Sequence, residues 1–336
     1  MNVYITACNS INPVFQPDNF SWKEKIETPD VIRFTCKEPD YKAFITDSAT
    51  RRRMSRAVKM GVAAALQCLA DAEVTPDAII TATGLGCLGD TEKFLKTLIE
   101  NGEDLLNPTP FIQSTFNTVG AQVAIAQKNT CYNTTYVHRG IAFENALTDA
   151  ILQLGESAVK NVLTGAYEEL TDTSFDVQRR LGMFRRGGRA GEGSAFFMLS
   201  SETESFCRLK AVNVAFCQEK SEIREKLLAF LCQNDINPDD IDIFISGESG
   251  NTDEQPFYDT VENAFPSAST VHYKHLSGDY QTVSSFALWL AVKIIENQAV
   301  PAHFLKTGKA EKMDKILIYN NFRNINHSFI LCGRQF

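Results

Sequence analysis

The sequence predicts an α/β protein, and three observations carry that prediction. Segments with helical apolar spacing alternate with short apolar runs along the whole 336-residue chain. The short runs end in glycine-rich loops and lead into helices that begin with acidic residues. The order of these signals in the first half of the chain then returns in the second.

Residues 52–70 read as one helix, with Met54, Val58, Val62, Ala65 and Leu66 on its apolar face. The run 78–83 (AIITAT) is a buried strand that ends in the loop Gly84-Leu85-Gly86. A helix follows over 91–99, preceded by Asp90 and with Glu92 in its first turn, where the helix dipole favours negative charge. Residues 133–138 are rich in strand formers. Residues 141–154 form a helix with Ala142, Ala146 and Ala150 on one face, and 159–164 and 194–199 are two further buried strands.

Past a break near 202–210, a helix over 221–232 leads to the strand 241–246 and the loop Gly247-Glu248-Ser249-Gly250. DAIITATGLGCLGDTEKF (77–94) and DIDIFISGESGNTDEQPF (240–257) share one order: strand, glycine loop, acidic helix start, phenylalanine. The ends GSAFFMLSS (193–201) and HSFILCGRQ (327–335) also match. Two copies of one α/β unit are therefore expected, spanning 1–205 and 206–336. No low-complexity linker separates them, so they should form one body.

Composition narrows the function. Apolar residues are 44% and charged residues 22%, and the net charge of −8 argues against a nucleic-acid partner, which needs a basic face. No apolar run reaches the roughly 18 residues of a membrane span. The first residues lack a basic segment followed by an apolar one, so a cytoplasmic location is expected. Nine scattered cysteines with no C-x-x-C spacing read as reduced thiols rather than a disulfide framework or a zinc site. His272 and His275 have no cysteine or acidic ligands at zinc-site spacing, so no metal is expected. Gly84-Leu85-Gly86 lacks the third glycine of a dinucleotide fingerprint and no phosphate-binding P-loop occurs, so no cofactor is expected either.

Several stretches, in this order, resemble the β-ketoacyl synthase branch of the thiolase superfamily. They are Arg52-Arg53-Met54 before an alanine-rich helix, the glycine loop and helix at 84–102, Pro110-Phe111 to Asn117, and LQLGESAVKNVLTGAYEE (152–169). Gly191-Glu192-Gly193 before an apolar strand and Lys274 with Gly278 complete the series. The resemblance covers nearly the whole chain. It implies a thiolase-like fold whose two duplicated halves form a layered αβαβα body, C–C condensation chemistry, and acyl carrier protein as substrate carrier.

The chain departs from that pattern where the family keeps its catalytic residues. Counting back from Leu154-Gly155 puts His138 where the family has its nucleophilic cysteine. Cys131, seven residues earlier, is the rival nucleophile. Glu248 falls, within one or two residues, at the first of the family's two histidines, and Asp279 replaces the second in the Lys274–Asp279 stretch. Phe322 remains from the family's gating loop and is followed by Arg323-Asn324-Ile325-Asn326. Neutral imidazoles donate hydrogen bonds to the enolate of a decarboxylative condensation, whereas ionised carboxylates only accept them. Loss of one such donor typically costs about 2.7–4 kcal/mol of barrier.

The resemblance therefore implies a subunit like the non-catalytic chain-length factors, partnered with an active ketosynthase or with a second copy of itself. The alternative is an atypical acyltransferase that uses Cys131, or a carboxylate base at Glu248 or Asp279. Arg185, Arg186 and Arg189 form a basic cluster that would suit an acidic carrier protein. The stretches Asp172–Arg186 and Glu202–Val214 are short for the family.

Overall fold

A computed structural model describes residues 1–15, 22, 30–156, 158–334 and 336. Ser157 and Gln335, which fall in stretches compared above, lie outside the described residues. Eleven strands run β1 (Tyr4–Ile11), β2 (Ala78–Thr83), β3 (Tyr132–Val137), β4 (Asn161–Glu168), β5 (Gly193–Ser200), β6 (Arg208–Phe216), β7 (Ile243–Ser246), β8 (Ser269–His272), β9 (Leu305–Thr307), β10 (Lys315–Phe322) and β11 (Asn326–Gly333). Their order across the sheet is β3-β2-β4-β5-β1-β6-β11-β10-β7-β8-β9.

That order contains the duplication. From its edge inward the first half reads β3, β2, β4, β5, β1; the second reads β8, β7, β10, β11, β6, with β9 added outside β8. In each half three parallel strands are followed by two antiparallel ones. Within the sheet the halves join through β1 and β6, with Tyr4 opposite Arg208. β5 ends at Ser200 and β6 begins at Arg208, and we place the proposed division between 1–205 and 206–336 in that connection.

Strand alternation builds the layers. Ile79, Leu163, Phe196 and Met198 face an outer core beneath the helices Arg56–Ala72 and Thr118–Gln127. Their neighbours Ile80, Val162, Phe197 and Leu199 face the central core. That core surrounds two helices, Ala142–Leu154 and Ser284–Asn297, which touch strands of both halves. The second of these is buried nearly all round, as a helix packed between two sheets must be. A third core under Lys220–Gln233 and Gln255–Glu262 covers the far face. The result is helix, sheet, helix, sheet, helix.

The structure revises some elements. The helix expected over 52–70 is two helices, Ser48–Arg53 and Arg56–Ala72. Met54 and Ser55 are extended between them, with Met54 buried. The break lets Arg56 turn inward to the fully buried Glu192, which holds two of its guanidinium nitrogens. The strand expected at 159–164 runs on to Glu168 and delivers a carboxylate to the ends of the parallel strands. The helix expected over 91–99 extends from Leu88 to Glu100.

Candidate functional site

In an open α/β sheet, ligands bind beyond the carboxyl ends of the parallel strands. In this chain those ends converge on one cleft. After β2 comes Leu85, and after β4 come Glu169 and Leu170. Ser249 and Glu254 follow β7, Asp279 and Tyr280 follow β8, and Asn321 and Phe322 end β10. Its interior volume is about 100 Å³, below the roughly 300–1,000 Å³ of typical small-molecule sites. Among the described residues, neither cysteine nor histidine lines it.

Three carboxylates, Glu169, Glu254 and Asp279, stand in the lining beside Arg189 and Arg323. Asp279 Oδ1 lies 2.7 Å from Nζ of Lys274, whose side chain is 1% exposed. Glu254 stands behind this pair and accepts a hydrogen bond from Ser249 Oγ at 2.8 Å. Burial, and then the charge of Asp279, raise its pKa. Glu169 accepts from Gly89 N at 2.8 Å, and burial pushes its carboxyl up to about 7. Its neighbour Glu168 is fully buried and accepts from Gly84 N and from Thr83 Oγ1. Burial outweighs those hydrogen bonds and also brings it to about 7. The lining also holds donors, among them Arg189, Arg323, Ser249 and Asn251, so the cleft is mixed in charge rather than purely acidic.

The sequence-predicted residues divide into two sets. Asp279 and Phe322 line the cleft, and Lys274 lies directly behind it. His138 does not line it. The histidine is exposed at the end of β3, just before the turn Arg139–Ile141 that leads into the helix Ala142–Leu154, and its Nδ1 lies 2.9 Å from Asn145 Nδ2. Phe322 separates the two places. Its ring lies so close against Gly140 that a Cβ there would collide with it, so only glycine fits. His138 thus stands outside the cleft, and the side chain between the turn and the cleft is Phe322.

Glu248 does not line the cleft. Ser249 faces the cleft, and strand-like alternation turns its neighbour away. Glu248 instead reaches His272 Nδ1 at 3.3 Å and Lys306 Nζ at 2.8 Å. Burial works against its ionisation, but the hydrogen bonds from His272 and Lys306 hold its carboxyl down at about 2.

Cys131 does not line the cleft either. It is exposed just ahead of β3, at the opposite end of the strand from His138. The six strand residues between them hold the two roughly 20 Å apart. Its backbone N donates to Asn129 Oδ1 at 2.8 Å.

The basic cluster is partly committed. Arg186 pairs with Asp253, Arg189 donates from Nη1 to the His275 carbonyl at 3.1 Å, and Arg185 is exposed. His272 and His275 stack on each other with ring centroids 3.9 Å apart. Among the described residues, no three His, Cys, Asp or Glu side chains are grouped to hold a metal ion, and no helix is long and apolar enough to cross a membrane.

Sequence reasoning missed Glu254 and Arg323, both of which line the cleft. Glu254 sits seven residues after Gly247, inside a stretch read only as an acidic helix start. Arg323 takes a left-handed backbone (φ 58°) and lies over the Phe322 ring, 5.2 Å from its centroid. No spacing rule would have found either.

Comparison with known proteins places this geometry. Residues 22–213, more than half the chain, match the family described as beta-ketoacyl synthase, N-terminal domain. Among solved structures, the fold is similar to the ishigamide ketosynthase/chain length factor, with TM-score 0.82 at 14% identity, covering 100% of this chain and 99% of that one. It is also similar to a structure of the ketosynthase ApeO in complex with its chain length factor ApeC from Xenorhabdus doucetiae, with TM-score 0.77 at 12% identity, covering 99% and 98%. A third is a beta-ketoacyl synthase from Burkholderia phymatum, with TM-score 0.72 at 13% identity and full coverage of both chains. No curated protein matches the sequence. On the family match and on a fold shared from end to end, the chain belongs to the β-ketoacyl synthase family.

Proposed function

We propose that this chain is a non-catalytic subunit, similar to a chain-length factor, that pairs with an active ketosynthase in carrier-protein-dependent chain building. The cleft is the observation that carries this reading. Where the family resemblance puts two imidazoles, this chain has Asp279 bound to buried Lys274 and Glu248 turned away to Lys306. Where it puts the thiolate there is His138, cut off from the cleft by Phe322. Among the described residues, neither cysteine nor histidine lines this cleft, so it offers no thiolate to carry the acyl chain and no imidazole to meet an enolate oxygen.

The surface beside β3 supports a partnered state. Among the described residues, β3 is the terminal strand of the sheet and pairs along one edge, with β2. Tyr132 and Val137 on it, and Ile125 on the preceding helix, are 44%, 41% and 68% exposed. A second thiolase-fold subunit laid along this edge would cover them and would bring the His138 turn to the seam.

Co-expression with the cysteine-containing ketosynthase of the same source tests the proposal. The expected result is a one-to-one complex whose products differ in length from those of the ketosynthase alone. A chain that stays self-associated beside that ketosynthase, and leaves its products unchanged, refutes the reading.

A further inference from the structure

One short segment of the first half runs along the cleft: Arg186 to Gly191, which lead into β5, put Gly188, Arg189 and Gly191 into its lining. These three form one wall, and Ser249, Asn251, Glu254 and Asp279 of the second half form the wall opposite.

The segment is fastened to the second half at two points of different character. The inner fastening is buried and made of backbone. Asp279 N donates to Arg189 O at 2.7 Å, and Gly191 N donates to Asp279 O at 3.0 Å. Ala190 and Gly191 are buried there, and Arg189 adds its bond to the His275 carbonyl. The outer fastening is exposed. The Arg186 guanidinium meets the Asp253 carboxylate, with side chains 62% and 49% exposed. Thr252 N donates to Arg186 O at 3.1 Å. Gly187 and Gly250 touch backbone to backbone, both with positive φ (95° and 84°), and a side chain on Gly187 would strike the Gly250 carbonyl.

We infer that Arg186–Gly191 is a strap over the cleft, hinged at its buried end and latched at its exposed end by Arg186, Thr252 and Asp253. The asymmetry is the argument. A buried backbone pairing opens only with the fold around it. An exposed ion pair with one backbone hydrogen bond is a weak closure that salt screens. Gly187 and Gly188 lie between the two and supply the freedom a hinge needs. Opening would separate the two walls and expose Ser249, Glu254 and the Lys274–Asp279 pair. The strap also explains why Arg186 and Arg189 are not free for a partner while the cleft is shut.

The test uses the full chain carrying Ser249→Cys, alkylated with iodoacetamide and read peptide by peptide. Exposed Cys131, at the far end of the sheet, serves as internal reference. In the parent, position 249 should react far more slowly than Cys131. Arg186→Ala or Asp253→Ala should speed it by about tenfold, and the double variant should gain no more than either single change, because both cut one contact. Raising the salt should speed the parent and leave the Arg186→Ala form unaffected. An unchanged Cys131 rate shows that the fold has held, and the salt series on the parent needs no latch variant. If position 249 reacts as fast as Cys131 in the parent, the cleft is not closed. If neither latch variant nor salt alters its rate, the latch does not close it; either result overturns the inference.

Discussion

The two glycine loops at equivalent places in the duplicated halves show what divergence has done here. After β2, Gly84–Gly86 is almost entirely buried, and Glu168 clamps it through Gly84 N and Thr83. That carboxyl sits near 7 because burial prevails. After β7, Gly247–Gly250 carries Glu248, partly buried and held near 2 by His272 and Lys306. The strand equivalent to β4 ends not in a carboxylate but in Phe322, which closes on Gly140. One copy of the unit has become a fixed wall. The other holds the charges, the aromatic plug and the anchor of the strap.

The sharpest way to break this comparison is at the second-half ion pair. Asp279→Ala strands an ammonium that is 1% exposed and should cost about 3 kcal/mol of stability, the usual effect of unpairing a buried charge. Lys274→Met should cost less, because the Asp279 side chain is 38% exposed and keeps some water. Chemical denaturation of both variants checks the order; equal costs would mean that Lys274 is already shared with Glu254.

The first-half carboxylate should show an opposite signature in pH. Glu168 has a folded pKa of about 7, above its ordinary value. The folded state therefore holds a proton that the unfolded chain releases, and stability falls as pH rises from about 4.5 to about 7. Glu168→Gln imitates the protonated form. Relative to the parent it should fare better at pH 8 than at pH 5, by about 3 kcal/mol at most. Melting curves at the two pH values decide this, and a difference that does not depend on pH would contradict a neutral Glu168.

Glu248 should behave in the reverse sense. Its folded pKa is depressed, so its contribution is complete above about pH 4.5 and is lost as pH falls toward 2. Glu248→Gln should cost about 1 kcal/mol at pH 7 after solvent screening, with the difference fading in acid. The smallest effect belongs to Cys131→Ser, expected within about 0.5 kcal/mol of the parent and without consequence for the products of the assembled complex.

Much of this was legible in the sequence. The strand 78–83 and the helix beginning near 141 follow from apolar runs and small residues at fixed spacing, and the repeat of strand, glycine loop and acidic helix start announced the duplication. Asp279 could be located because Lys274 and Gly278 frame it. Glu248 could not, because one residue of register in the loop after β7 decides between facing the cleft and facing Lys306, and glycines on both sides leave that register open. The break at Met54–Ser55 was hidden for another reason: it serves the pairing of Arg56 with Glu192, 136 residues apart in the chain. The strap was equally silent, since Arg186 and Asp253 carry no signal of each other.

Intact-mass analysis of the chain bound to its ketosynthase, incubated with acylated and malonylated carrier protein, tests the central claim most directly. The account predicts that acyl mass appears on the ketosynthase alone and that this chain keeps its unmodified mass throughout. Acyl mass on this chain, traced by peptide mapping to His138, Cys131 or any other residue, would contradict it.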